Sequence, residues 1–363
     1  MANKLVSCQG CLLGLAVGDA LGFTVDGQTL EEICADYGPN GLLGYDLANG
    51  CADVTSYTQL AAFVGNGLLL SVSRGKKEYL PYIILSLREW ARNQQFHRDP
   101  EKSYCWVAKP KVLRLHNNRD ARMLDALRAE TLGTVDAPIN RNAGPGVLAP
   151  AVALGMFYDP RRMDMDRLTE LAVQTAALTH GGPEAILSAA VLSRCIADCL
   201  NEPEKSFPDI FTDAVQAMQD RYQETFPTHT ELLAARIRQA VCLSQDTSLS
   251  VRGSMERLAC NSAPSCLAGA MYACLTSHGD FDTAVITAVN HSGLSAAVGA
   301  VTGALMGARV GMDALPEFYL ESLSPASVLS ELASDLAQGS LTSGLFDDDW
   351  DHKYIQGLPL GEN

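Results

Sequence analysis

Apolar side chains recur every three or four residues along most of this chain, the spacing that places them on one face of an α-helix. In the stretch 79–93, for example, Leu80, Ile83, Leu87 and Trp90 follow this spacing, and polar residues fall between them. Alternation with a period of two, which would indicate strands, is nearly absent. The pattern predicts an all-α protein, a helical bundle, with further helices at 57–73, 168–178, 183–200, 230–243 and 281–289.

Four glycines recur at every fourth position late in the chain, at Gly299, Gly303, Gly307 and Gly311. At this spacing they lie on one face of a helix, and a face without side chains lets a second backbone approach closely. We interpret the face as close packing between two helices of the core. The alternative is a dedicated interface with another molecule.

Two stretches lack the helical pattern. Residues 38–53 are rich in Gly, and residues 94–147 mix charge, Pro and Gly between short helical pieces. Long loops in compact domains are often functional. No Pro- or Ser-rich linker divides the chain, so we expect a single domain over residues 1–345 followed by a polar C-terminal tail at 346–363.

Composition and charge exclude several classes of protein. Apolar residues make up 47% of the chain and charged residues 19%, which is incompatible with wholesale disorder. A net charge of −15 repels phosphate backbones. No stretch reaches the ~20 clean apolar residues of a membrane span, and the eleven cysteines lie mostly in apolar surroundings, as buried thiols do. We expect a cytoplasmic protein that binds neither nucleic acid nor membranes.

Three segments, taken in order, carry a family resemblance. They are GCLLGLAVGDALG at 10–22, CADVTSYTQLAAF at 51–63 and the glycine-rich stretch at 279–308. Together they resemble the ADP-ribosylglycohydrolase family, which includes ADP-ribosyl-arginine and ADP-ribosyl-serine hydrolases, dinitrogenase reductase-activating glycohydrolases and J-type crystallins. The resemblance covers about residues 8–336. It implies a single-domain all-α bundle with two Mg²⁺ ions at its centre, and hydrolysis of the bond between ADP-ribose and its leaving group.

The family's metal ligands do not carry over to this chain. Its Thr-Asp-Asp-Thr motif corresponds to Ala52-Asp53-Val54-Thr55, and its Gly-Asp-x-Asp-Thr motif corresponds to Gly293-Leu294-Ser295-Ala296-Ala297. The family's glutamate corresponds to the shorter Asp26. Each Mg²⁺ takes about six oxygen ligands, so two carboxylates cannot hold two ions. We therefore expect no cofactor and no dinuclear Mg²⁺ pair, since Ala52, Val54, Leu294, Ala296 and Ala297 occupy the ligand positions.

Two carboxylates remain as candidate catalytic residues. Asp26 is the better candidate for activating a water molecule, with a solvated loop acid as the alternative. Asp53 precedes a predicted helix, where a carboxylate also suits the positive N-terminal end, so a capping role and a residual polar site are equally open.

Six further residues are candidate ligand-binding residues, and some of them also have a structural interpretation. For Asp19 the favoured interpretation is a helix cap or a buried hydrogen-bonded acid. For His180 it is a histidine at a helix C-terminus that interacts with the last carbonyl groups. Asn142 is assigned by resemblance, because it lies in the segment that replaces the family's Asn-Gly-Ser-x-Met-Arg region. The six are Asp19, Thr55, Asn142, His180, His291 and Ser295.

These observations favour a non-catalytic or strongly divergent family member. We expect it to bind an ADP-ribose-like or other small ligand, either free or attached to an ADP-ribosylated protein. One alternative is an active hydrolase of a glycosidic bond that uses Asp26 or Asp53 with little or no metal. The other is a structural protein, similar to the crystallin-like members of the family.

Overall fold

The computed structural model of the protein describes residues 2–47, 50–95, 102–118, 120–339 and 348–355. About 70% of the chain is helical, and the described residues contain no strand, only an isolated bridge between Ala52 and Leu323. The all-α prediction is therefore confirmed. In chain order the helices are α1 (Ala2–Thr24), α2 (Leu30–Tyr37), α3 (Ser56–Ser73), α4 (Leu80–Asn93), α5 (Ala121–Arg128), α6 (Leu148–Phe157), α7 (Met165–Ala177), α8 (Pro183–Asn201), α9 (Phe207–Tyr222), α10 (Pro227–Gln245), α11 (Val251–Leu258), α12 (Ala263–Thr276), α13 (Phe281–Val289), α14 (Ser295–Val310), α15 (Glu317–Ser322), α16 (Ala326–Gly339) and α17 (Asp348–Tyr354).

The helices predicted from apolar spacing match the structure closely. The prediction at 281–289 coincides with α13, and the prediction at 57–73 differs from α3 by one residue. The predicted helix at 230–243 is part of a longer one, because α10 begins at Pro227, where proline is tolerated in the first turn.

Helices α1 and α14 form a pair at the centre of the molecule, held together by glycine. A Cβ atom on Gly18 would lie well inside the van der Waals distance of the Gly299 carbonyl oxygen, and one on Gly303 would do the same to Gly14. The two backbones therefore touch without side chains between them. Core packing is thus the correct interpretation of the glycine face at 299–311.

From the sequence, no stretch is expected to be apolar enough to span a membrane, but helix α1 meets that criterion by length and composition. Its segment Lys4–Thr24 is the one helix of the described residues that is long and apolar enough to cross a membrane. Of an 18-residue apolar stretch within this segment, 83% is buried inside the protein. A helix surrounded by core has the same composition as a membrane span, so its hydropathy alone does not distinguish the two.

Residues 348–354 were expected to lie in a polar tail, yet they form helix α17. Trp350 and Tyr354 are four positions apart and buried, whereas the acids of the same helix face outward or pair with Lys353. The Trp350 Nε1 donates to Ser73 Oγ at 2.7 Å, which fixes α17 to the end of α3. A polar tail therefore misdescribes this segment, because two aromatic residues outweigh its high charge.

Candidate functional site

Asp26 lies in the turn after α1 and connects two distant segments. Its Oδ1 accepts a hydrogen bond from the backbone N–H of Ala296 at 2.9 Å, and its Oδ2 accepts one from Asn118 Nδ2 at 2.9 Å. Burial raises the pKa of the Asp26 carboxyl, against the opposing effect of the two hydrogen bonds. Asp26 thus joins the N-terminus of α14 to the loop before α5.

The N-terminus of α3 meets the same loop. The Asn117 carbonyl oxygen accepts from the Ser56 backbone N–H at 3.2 Å, and Asn117 Nδ2 donates to the Val54 carbonyl oxygen at 3.1 Å. The N-termini of α3 and α14 are consequently connected through the Asn117–Asn118 loop and Asp26. This is the arrangement that the motif assignment predicts, since both motifs serve one site in the family.

Asp19 and Thr55 form a buried hydrogen-bonded group at the start of α3. The Asp19 carboxylate accepts from the Thr55 hydroxyl at 2.6 Å and from the Thr58 hydroxyl at 2.6 Å. It also accepts from the backbone N–H groups of both threonines, at 2.9 and 3.1 Å. Burial raises its pKa from 3.8 to about 6 despite these four bonds. Both Asp19 oxygens are engaged within the protein, so the structural alternative for Asp19 and Thr55 accounts for the geometry.

Asp53 lies away from these contacts. Its Oδ1 accepts from the Ser324 hydroxyl at 3.0 Å, next to the bridge between Ala52 and Leu323. Asp53 lines a cavity of about 340 Å³ to which Asp26 does not contribute. This cavity therefore does not bring the two candidate catalytic carboxylates together.

A second polar group, which we name the Asp120 cluster, consists of Asp120, Arg122, Asn142 and His180. Asn142 Nδ2 donates to Asp120 Oδ2 at 2.8 Å, and Arg122 pairs with Asp120 at 3.4 Å. Desolvation opposes ionisation of Asp120, but the bond from Asn142 and the contacts of Arg122 hold its pKa below the ordinary value. Asn142 and His180 were singled out in the sequence, whereas Asp120 and Arg122 were not.

His180 is fully buried within this cluster. Its Nδ1 lies 2.8 Å from the Thr179 hydroxyl, and its Nε2 has no hydrogen-bond partner among the described residues. Burial lowers the pKa of His180 to about 4, so the imidazole is neutral at physiological pH. A Cβ atom on Gly146 would lie 3.7 Å from Nε2, in van der Waals contact with the ring.

Tyr57, in the first turn of α3, was not a predicted site residue. Burial raises the pKa of its hydroxyl well above the ordinary value, and the charges of Cys266, Asp26, Asp19 and Asp120 add to that effect. Tyr57 therefore lies near both Asp26 and the Asp120 cluster as a neutral hydrogen-bonding group. No sequence signal distinguished it from the apolar residues of α3.

His291 and Ser295 are buried at the start of α14. Burial lowers the pKa of His291, against the opposing effects of backbone contacts with Ser292 and Ala288 and of the Glu256 carboxylate. The Ser295 hydroxyl donates to the His291 carbonyl oxygen at 3.5 Å. Ser295 therefore has no base partner among the described residues, which gives no support to nucleophilic catalysis by Ser295.

The residues at the family's ligand positions do not fit two Mg²⁺ ions. Ala52, Val54, Ala296 and Ala297 are buried and apolar. The described part of the chain contains no group of three or more His, Cys, Asp or Glu side chains that could hold a metal ion. Asp26 accepts protein hydrogen bonds on both oxygens.

The fold is all-α, and the candidate site lies at the connected N-termini of α3 and α14. Residues 2–344 match the family model described as ADP-ribosylglycohydrolase, and the chain belongs to that family, which is typically metal-dependent. It is 26% identical over 339 residues to an uncharacterized protein of Archaeoglobus fulgidus, covering 90% of this chain and 95% of that protein.

A solved structure described as an ADP-ribosylglycohydrolase-related protein complex shares the fold. Its TM-score is 0.60 at 24% identity, and the similarity covers 94% of this chain and 100% of that chain. The fold similarity extends over the whole helical body, so the altered ligand positions lie within an otherwise complete family architecture.

Proposed function

We propose that this chain is a family member without the dinuclear Mg²⁺ reaction, and that it binds an ADP-ribose-like small ligand beside Asp26 and the Asp120 cluster. The observation that carries the proposal is the bond from the Ala296 backbone N–H to Asp26. A carboxylate at a helix N-terminus satisfies an N–H group and interacts favourably with the helix dipole. Asp26 therefore stabilises the N-terminal end of α14, and each of its two oxygens is already engaged in a hydrogen bond within the protein.

The altered side chains around Asp26 support the loss of metal chemistry. A divalent ion loses much of its hydration on entering a site, and carboxylate oxygens must replace it. Buried methyl and isopropyl groups at Ala296 and Val54 supply no oxygen. Such a site favours a ligand bound by hydrogen bonds and van der Waals contacts.

The polar groups of the Asp120 cluster support ligand binding. The Asp120 carboxylate and the Asn142 amide suit ribose hydroxyls, and the exposed Arg122 places a positive charge nearby for a phosphate. A buried nitrogen without a partner costs about 1–3 kcal/mol. A ligand hydroxyl that donates to His180 Nε2 would recover that cost.

A cytoplasmic location is part of the proposal. All eleven cysteines are free, and eight of them are buried, which suits a reducing compartment. In that compartment the ligand is either free or carried by an ADP-ribosylated protein.

Isothermal titration with ADP-ribose tests this function. We expect binding in EDTA that is unchanged by added Mg²⁺, and about tenfold weaker binding in Asn142→Ala because a buried donor and acceptor are lost. Asn40→Ala, in an exposed loop, is the matched control and keeps wild-type affinity. Two tightly bound Mg²⁺ ions per chain, or no binding of ADP-ribose at millimolar concentration, would contradict the proposal.

A metal-free hydrolase is the second candidate, favoured by the raised pKa of Asp26. A carboxyl group with a raised pKa is suited to general acid–base catalysis. Under this alternative, ADP-ribosyl-arginine or ADP-ribosyl-serine is hydrolysed in EDTA, and Asp26→Asn abolishes turnover while ADP-ribose still binds. Absence of both binding and turnover would favour the structural, crystallin-like role.

A further inference from the structure

The cavity beside Asp53 has a lining unlike that of the site around Asp26. Three aromatic side chains, Phe23, Tyr37 and Tyr45, line it together with the carboxylates of Asp46 and Asp53. None of its described lining residues is Lys, Arg or His. We propose that this cavity binds an organic cation, an ammonium or guanidinium group held by the two carboxylates and the aromatic walls.

The two carboxylates carry charge that the described residues leave uncompensated. Neither Asp46 nor Asp53 forms an ion pair with a described residue. Asp46 Oδ2 accepts from the Tyr37 hydroxyl at 3.1 Å, and Asp53 accepts through Oδ1 from Ser324 and, at 3.9 Å, from the thiol of Cys51. Two negative charges at one concave surface raise the local concentration of cations.

The aromatic walls add a second attraction for the same class of ligand. A cation within about 6 Å of an aromatic ring centroid is attracted by the ring, most strongly where water is excluded. Tyr45 is held in place by an edge-to-face contact with Tyr319, with 5.1 Å between ring centroids. Its hydroxyl is buried and has no hydrogen-bond partner among the described residues. A bound ligand with a polar group would supply that partner.

The same chemistry argues against the other ligand classes. A divalent metal ion needs more oxygen ligands than this cavity provides, and the described residues contain no group of three or more candidate metal-ligating side chains. A diphosphate would face Asp46 and Asp53 without a basic partner. The cavity is therefore separate in its chemistry from the ADP-ribose-like ligand proposed above.

The cation could belong to a free amine or to a basic side chain of a peptide. Leu43 and Leu47, which flank Tyr45 and Asp46 in the sequence, are 56% and 38% exposed, and Phe318 of α15 is 54% exposed. Phe318 contacts the ring of Tyr319, which in turn contacts Tyr45. These exposed side chains offer apolar contacts to a peptide that presents a lysine or arginine.

Isothermal titration at constant ionic strength separates these sources. The probes are choline chloride, the blocked peptide acetyl-Ala-Lys-Ala-amide, its norleucine counterpart and MgCl₂. We expect choline, the lysine peptide or both to bind, and the norleucine peptide not to bind. Binding of choline supports a free amine as the source, and binding of the lysine peptide alone supports a basic side chain.

Variants of the two carboxylates then locate the bound cation. Asp46→Asn and Asp53→Asn each weaken binding about fivefold, since each removes one charge partner. Asp313→Asn removes the same charge at an exposed position that does not line the cavity, and keeps wild-type affinity. The proposal is overturned by equal weakening in Asp313→Asn, by no binding of either cationic probe at millimolar concentration, or by Mg²⁺ binding more tightly than both. Asp26→Asn leaves cation binding unchanged, which separates this test from that of the proposed function.

Discussion

Replacing Asp19 with Asn changes how the stability of the protein depends on pH. Asp19 is fully buried and accepts four hydrogen bonds, yet burial still raises its pKa from 3.8 to about 6. Between these two values the folded protein binds more protons than the unfolded chain. The contribution of Asp19 to stability is therefore fully present below pH 3.8 and is lost as the pH rises through 6.

The size of this effect follows from the two pKa values. A tenfold change in proton affinity corresponds to about 1.4 kcal/mol, so the difference between 3.8 and about 6 corresponds to about 3 kcal/mol. About 2 kcal/mol of that change falls between pH 4.5 and pH 7. Asp19→Asn has no ionisable group at this position and lacks this part of the pH dependence.

Urea unfolding of both proteins at pH 4.5, 5.5, 6.5 and 7 measures the effect. The free energy of unfolding of the wild type, minus that of Asp19→Asn, falls by about 2 kcal/mol over this range. The exposed Asp313→Asn, which removes a carboxyl group from the surface, serves as the control. A wild-type-minus-variant difference that is constant or rises with pH would refute the assignment of a raised pKa to Asp19.

Three further predictions concern the core, the C-terminal helix and the Asp120 cluster. The methyl group of Gly303→Ala would overlap the Gly14 carbonyl, so this variant lowers the free energy of unfolding by about 3 kcal/mol in urea titration. In the control Gly44→Ala the methyl group meets open space, and the free energy of unfolding changes by less than about 0.5 kcal/mol. Trp350→Ala removes a buried indole and costs about 3 kcal/mol by the same measurement, and an unchanged midpoint would show that α17 does not pack on α3. The His180 ring has a pKa of about 4, so its proton NMR signals do not shift between pH 5.5 and 8, and a midpoint near 6.5 would contradict its burial.

The sequence was informative where a local pattern determines the structure. Apolar spacing within single helices located α3, α4 and α13 within one residue at each end. The four-residue glycine spacing identified close packing, but not the partner helix. That partner is α1, whose own glycines are far away in sequence.

The site was less predictable because its contacts join distant segments without a repeating pattern. The bond between Asp26 and the Ala296 backbone spans 270 residues and uses an N–H group that every residue except proline carries. Asn118 and Asp120 lie in the stretch 94–147, where no periodicity marks them. One sequence pattern could have located Asp120: an Asp directly before the apolar positions of a helix indicates an N-cap, and Asp120 caps α5.

The pairing of α1 with α14 has a consequence for synthesis of the protein. Helix α1 is synthesised before α14, and the roughly 270 residues between them take about 14–54 s to add at about 5–20 residues per second. Until α14 is made, the glycine face of α1 lacks its native partner. An apolar segment without its partner is prone to aggregation, so we expect depletion of chaperones to lower the soluble yield of the newly made chain.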